Sequence, residues 1–241
     1  MADDKKKLAT LNLAGPRGPA LLSAMRQTKS KVQRMPVHGL ASKTQLWLLA
    51  IAACVVIKPA LAAADDRVAE LAAACSGCHG EKGIPQDKAT PIIWGQNEGY
   101  IYLQLRDFQK GSRKSELMQP MVEGLERQDI RDLAAYFAGL QWPNIDQEPT
   151  PPDVVGKAES INDSVACTAC HQSQYEGDGT TPRLAGQSRE YLYKTMQDFR
   201  SRARGNNPGM SDILRAVSED DVTTMAEYLA GLRLLPSARN R

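Results

Sequence analysis

Two copies of one pattern, Cys75-Ser76-Gly77-Cys78-His79 and Cys167-Thr168-Ala169-Cys170-His171, are where this chain can do chemistry. A CxxCH run is the pattern through which a chain takes up haem covalently. The two thiols add to the vinyl groups, and the adjacent histidine falls under the iron as an axial ligand. One copy alone is weak, because zinc sites and redox dithiols also use CxxC. Here the chain has only five Cys and three His, so nothing is left to complete tetrahedral zinc. The expectation is therefore two covalently bound haem c groups, on Cys75 and Cys78 and on Cys167 and Cys170, with His79 and His171 on the irons.

Each iron needs a sixth ligand, and methionine is the natural one, since His/Met ligation raises the potential of a haem. Five Met lie beyond the N-terminal segment. An internal repeat sorts them. Met121 aligns with Ile213, Met196 with Leu105 and Met225 with Leu133, which are ordinary apolar positions that a Met fills as core. Only Met118 and Met210 align with each other, each 39 residues after its histidine and 11 before an Asp. They are the candidate axial ligands, with Met121 the one rival in the first half. A ligating His usually donates its other ring N–H to a fixed acceptor. The carbonyls of Pro91 and Pro182, 12 and 11 residues past the histidines, are candidates, against the plain alternative of turn prolines. Trp94 and the paired tyrosines either hydrogen-bond haem propionates or simply pack. Arg200, Arg202 and Arg204 either offset propionate charge, guide a partner or form a solvated basic face, and the last is the reading preferred.

The repeat organises everything past residue 62. An offset of 92 joins the two motifs; an offset of 91 joins Gly95-Gln96 to Gly186-Gln187 and Tyr100, Tyr102, Asp107 and Phe108 to Tyr191, Tyr193, Asp198 and Phe199. The offset returns to 92 from Met118 to Gly139-Leu140. The seam QWPNIDQEPTPP, rich in Pro and acid, reads as a linker. The expected division is a leader at 1–62, a first domain at 63–140, a linker at 141–155 and a second domain at 156–241. The pattern is all-α, with three helices readable per half. One enters the motif from about Asp65, one runs from about Asn97 to Lys110, and one from about Asp129 to Leu140. In the second half Ser218 caps the last of these, with Asp221 three residues on. Halves this small bury a marginal core by themselves, and the haem supplies the missing apolar mass.

Leu46 to Ile57 is an apolar run too short to span a bilayer, with basic residues before it and Ala60-Leu61-Ala62-Ala63-Ala64 after it. That reads as a cleaved signal peptide and a periplasmic protein, with cleavage after Ala62 or Ala64. Met35 is a candidate start, and lipidation at Cys54 a second-ranked alternative. Beyond residue 62 the chain holds 20 basic and 26 acidic residues. Its acidic balance argues against nucleic acid as a partner, and Lys5-Lys6-Lys7 belongs to the leader. The charge is uneven: residues 63–152 carry a net −5 and residues 153–241 a net −1.

With these residues set out, positions 63–241 resemble class I c-type cytochromes, and specifically the two-haem cytochrome c4 family. The carriers are the paired CxxCH motifs, Pro91 with Gly95-Gln96-Asn97-Glu98-Gly99-Tyr100, Met118, and Asp129 to Phe137. Pro182, Gly186-Gln187, Tyr191, Met210 and Asp221 to Leu229 repeat them. The resemblance implies two tandem cytochrome domains, each wrapped around its haem and related by a pseudo-two-fold, with Met118 and Met210 where the family places its axial methionines. It implies periplasmic electron transfer between redox proteins, from a quinol-oxidising donor towards a terminal oxidase, with peripheral membrane association. Ile93-Trp94 departs from the family, which usually has a small residue before Gly-Gln, and the loop before Met118 is short. Similar two-haem chains also serve as subunits of dehydrogenase complexes such as sulfide-oxidising flavocytochromes, which is the alternative. A haem enzyme such as a peroxidase needs an exchangeable sixth position and an acid–base group beside it, and the sequence offers neither.

Overall fold

The computed structural model describes residues 66–234; the expected leader, with Met35, Cys54 and the cleavage site, lies outside the described residues. The first half holds helix α1 at residues 66–79, α2 at Glu98–Gln109, α3 at Met118–Val122 and α4 at Arg127–Gly139. The second half holds α5 at Pro152–Val165, α6 at Thr168–His171, α7 at Arg189–Arg200, α8 at Pro208–Arg215 and α9 at Glu219–Gly231. Among the described residues no strand forms; Asp178 and Thr181 make one isolated bridge. The three helices expected per half are present. Two shorter ones, α3 and α8, were not legible, because five to eight residues give too little periodicity to register.

Each half folds about a small core drawn from helix faces. In the first, Ala72 of α1, Ile101 of α2, and Leu133, Ala134 and Phe137 of α4 are buried together. Their spacing of three and four along α4 is one helix face. In the second, Ala158 and Ile161 of α5, Leu192 of α7, and Met225, Ala226, Leu229 and Ala230 of α9 do the same. A further cluster of Phe199, Leu214, Val217 and Val222 sits under α8. Gly95 and Gly186, at φ +65° and +73°, turn the chain so that their N–H groups reach the carbonyls of Phe137 and Leu229 at 2.8 and 2.9 Å. A side chain at either position would be strained by the positive φ.

The halves differ at the motif. In the first, α1 runs unbroken into His79. In the second, the helix breaks at Ala166, which is left-handed at φ 52°. Asn162 explains the break: its side-chain oxygen accepts the N–H of Thr168 at 3.0 Å and the Tyr175 hydroxyl at 3.2 Å. An Asx side chain thereby competes with the helix ladder; Glu70 holds the equivalent place in α1.

The linker also differs from a free tether. Residues 152–155, expected as linker, form the first turn of α5. Upstream, the Gln147 side chain donates to the carbonyls of Gln187 and Ala230 at 3.0 and 2.9 Å. Arg233 donates to Asn144 and to the Gln147 carbonyl. The segment is strapped along the second half.

Helix starts are secured by side chains. Ser218 accepts the Asp221 N–H at 3.1 Å, as its position predicts. In α4 the buried Asp129 accepts the Glu126 N–H at 2.9 Å and pairs with Arg67 of α1 through two bonds of 2.9 and 3.0 Å. The backbone N–H of Glu126, then Arg67, hold its carboxyl below the usual 3.8 despite burial. A depressed carboxylate adds stability above its unfolded pKa and loses it as pH falls through its folded one. Asp129→Ala should therefore lower holoprotein stability by about 1 kcal/mol at neutral pH through the lost capping-box bond to the Glu126 N–H. The difference from wild type should shrink as pH falls below about 3.8, as denaturant titrations across pH would read.

Candidate functional site

Both histidines are held as iron ligands need to be held. His79 Nδ1 donates to the Pro91 carbonyl at 2.8 Å, and His171 Nδ1 to the Pro182 carbonyl at 3.1 Å. The prolines are thus acceptors, and each leaves the opposite ring nitrogen, Nε2, to face a metal. Burial pushes both imidazoles below their ordinary range, with the Pro carbonyls working the other way. The net effect keeps them neutral, the form that binds a metal. Each helix ends directly after its histidine in a residue of positive φ, Gly80 at 88° and Gln172 at 67°.

Neither Cys pair is closed into a disulfide. Cys75 and Cys167 are half-buried and Cys78 and Cys170 exposed. Among the described residues no group of three or more His, Cys, Asp or Glu converges as a cage for a bare metal ion. The donor set of each half suits haem: two thiols, one oriented neutral imidazole and a thioether. Trp94 Nε1 and Arg106 Nε are buried donors with no partner in the protein, which fits a group bringing acceptor oxygens to the first half.

The two candidate methionines occupy matched places. Met118 opens α3, its N–H donating to Ser115 Oγ at 3.2 Å; Met210 sits in the first turn of α8, its N–H donating to Asn207 Oδ1 at 3.2 Å. Both are half-buried, and Met210 packs against the Phe199 cluster. Of the others, Met225 is core at 3 % exposure, whereas Met121 stands 46 % exposed on α3.

Trp94, a departure from family pattern, has a local explanation. Its ring lies against Gly83, where a Cβ would come within 2.7 Å of the indole. The equivalent pair in the second half is Tyr175 and Ala185, both buried. Large and small have exchanged places between the halves, so volume is conserved.

The halves meet through swapped contacts. Gln187, 2 % exposed, accepts the Ile92 N–H at 2.8 Å and donates to the Ile92 carbonyl at 2.9 Å. Gln96, 4 % exposed, accepts the Arg183 N–H at 2.7 Å and donates to its carbonyl at 2.9 Å. These residues are equivalent under the repeat, so the contacts obey a pseudo-two-fold. Beside them Arg204 donates to Tyr100 Oη at 3.1 Å, and Arg113 to Tyr191 Oη at 3.1 Å, again equivalent pairs. Burial pushes the Tyr191 phenol up, but the charges of Arg113 and Arg204 outweigh it and bring it below its ordinary range. Gln104 accepts from both arginines. Sequence reasoning assigned Arg204 to a solvated basic face; it is instead 6 % exposed and stacked 4.3 Å from the Phe199 ring. Only contact with the other half could have revealed that. Arg202 does face solvent, paired with Asp212 at 3.2 Å.

Comparison with known proteins gives one family. The cytochrome c family model matches residues 66–141 and again 158–233. The chain is 33% identical over 182 residues to cytochrome c4 of Azotobacter vinelandii, covering 67% of this chain and 85% of that one. It is 31% identical to the thiosulfate dehydrogenase electron acceptor of Stutzerimonas stutzeri, over 67% of this chain and 80% of that one. The crystal structure of reduced recombinant cytochrome c4 from Pseudomonas stutzeri superposes with a TM-score of 0.62 at 28% identity, covering 70% of this chain and 98% of that one. The fold of two tandem cytochrome domains and two covalently bound haem c groups follow.

Arg204→Met should cost roughly 1.5–3 kcal/mol by removing charge-assisted bonds from a buried site. Arg202→Met should stay within about 0.5 kcal/mol, as an exposed pair contributes little. Denaturant unfolding of the two holoproteins compares them directly.

Proposed function

This chain belongs to the cytochrome c family, and within it to the two-haem cytochromes c4, and we propose that it works in the periplasm, passing electrons from a quinol-oxidising donor towards a terminal oxidase. Its role as a two-haem electron carrier rests on the family; the compartment and the direction are our reading. The observation that carries it is the matched ligand set. In each half an imidazole is pinned through Nδ1 to a proline carbonyl, and a methionine stands on a short helix 39 residues later.

His79 and Met118 would hold the first iron and His171 and Met210 the second, while Cys75, Cys78, Cys167 and Cys170 carry the thioether bonds. When bound, haem supplies the one-electron couple. The chain's own residues supply the rest. The prolines fix ring orientation, the two methionines would hold the iron position a substrate needs, and the cores exclude water. A partner then exchanges electrons without touching either metal. The apolar run before Ala62 supports export, and the acidic balance beyond it supports basic-faced redox partners.

A second reading has its own support in the thiosulfate dehydrogenase electron acceptor: the physiological donor is a dehydrogenase in place of a quinol-oxidising complex. Mixing the oxidised protein with each candidate donor under anaerobic conditions separates the two. Rapid haem reduction by a sulfur-compound dehydrogenase with its substrate, and none by the quinol-oxidising complex, would replace the first reading with the second.

The ligand assignment predicts that carbon monoxide leaves the visible spectrum of the dithionite-reduced wild type unchanged. Met118→Ala should bind the gas at one haem and Met210→Ala at the other. The charge imbalance predicts two separate waves in a redox titration. The first-half haem should be the lower, because its more acidic surroundings favour the ferric state. Coincident waves would contradict that.

A further inference from the structure

We propose that Gln187 and Gln96 are positioning residues that act across the interface, each tuning the haem iron held by the other half's histidine. This rests on the axial role given to His79 and His171 above.

The atoms form a continuous chain through one peptide group. The Pro91 carbonyl that accepts His79 Nδ1–H, at 2.8 Å, belongs to the same peptide as the Ile92 N–H that Gln187 Oε1 accepts, at 2.8 Å. The mirror chain uses the Pro182 carbonyl, 3.1 Å from His171 Nδ1, and the Arg183 N–H, 2.7 Å from Gln96 Oε1. An amide whose N–H is drawn off by an acceptor carries more negative charge on its oxygen, so hydrogen bonds in such a chain strengthen one another. A stronger acceptor at Nδ1 makes the imidazole a more basic ligand, and a more basic ligand favours the ferric iron. The relay thus lowers the potential of the haem in the half to which the glutamine does not belong.

Three features separate this from simple gluing. Each glutamine is buried, so water does not substitute for it. Each Oε1 is locked by a second bond, from the Ser188 N–H at 2.9 Å or the Asn97 N–H at 2.9 Å. And the amide nitrogen takes the carbonyl of the same residue, Ile92 or Arg183, so the side chain's orientation has no alternative. The second contact also polarises only the following peptide, leaving the Oε1 contact as the one in line with the histidine.

The test is a crossed pair of variants in the holoprotein, Gln187→Met and Gln96→Met, which keep length and lose hydrogen bonding. The readouts are the two midpoint potentials, assigned by NMR, and the ring Nδ1–H resonances of the reduced, diamagnetic protein. Gln187→Met should raise the potential of the His79 haem and shift the His79 ring proton, with a smaller change at His171. Gln96→Met should do the reverse. A shift confined to the variant's own half, equal shifts at both haems, or no shift would overturn the relay. If neither variant takes up haem, the wild type decides. Scalar couplings across the hydrogen bonds, from Ile92 nitrogen to the Gln187 side-chain carbonyl carbon and from His79 Nδ1 to the Pro91 carbonyl carbon, are expected, and their absence overturns it. Failure of the histidine assignment itself would appear separately, as His79 and His171 ring protons of the reduced wild type that lack the strong ring-current shifts of an iron-bound imidazole.

Discussion

Neither half of this chain satisfies its own buried loop. The peptide after Pro91 and the peptide after Pro182 are both paired by a glutamine from the opposite half. A buried N–H without an acceptor costs roughly 1–3 kcal/mol, so the two loops hold their shape only when the halves are together. Those loops carry the carbonyls that orient His79 and His171. The interface therefore shapes the surroundings of both histidines, and the swapped Arg–Tyr contacts beside it extend the same constraint. A carrier with two haems in one chain gains from this, because each iron's surroundings are set by a joint that both share.

Duplication has been followed by local divergence that keeps volume and hydrogen bonding balanced. Trp94 against Gly83 in one half stands where Ala185 and Tyr175 stand in the other. Gly111 at φ 71° is answered by Arg202 at φ 64°, so the turn survives even where a side chain pays the left-handed penalty. The helix entering the motif is continuous in the first half and broken by Asn162 in the second. Each change is local, and His79, Met118, His171 and Met210 keep matched places. The same divergence has left the halves unequal in charge, with a net −5 in residues 63–152 and −1 in residues 153–241.

The helices and the site were legible to different degrees. The long helices were readable because Ile101, Leu105 and Phe108, or Ile130, Leu133 and Phe137, repeat on one face. The short α3 and α8 were not, since one or two turns give no period. The Pro91 and Pro182 carbonyls were nameable as acceptors from the requirement that a ligating His donate its second N–H. The structure places both at hydrogen-bond distance. Arg204 was misread as solvated because charge in the loop between α7 and α8 looks the same in sequence whether water or another domain covers it.

By itself the sequence determined the chemistry: covalent haem requires two thiols and a histidine at one spacing, and repetition of that spacing counts the cofactors. It also singled out Met118 and Met210, since only those methionines survive comparison of the halves. Only the tertiary structure decided the joint. Gln96 and Gln187 are short polar residues beside a glycine turn, and nothing in their neighbours says which backbone they pair. Their partners lie 87 and 95 positions away in the chain. Contacts at such separation exist only once both halves have folded and buried the peptides that need them.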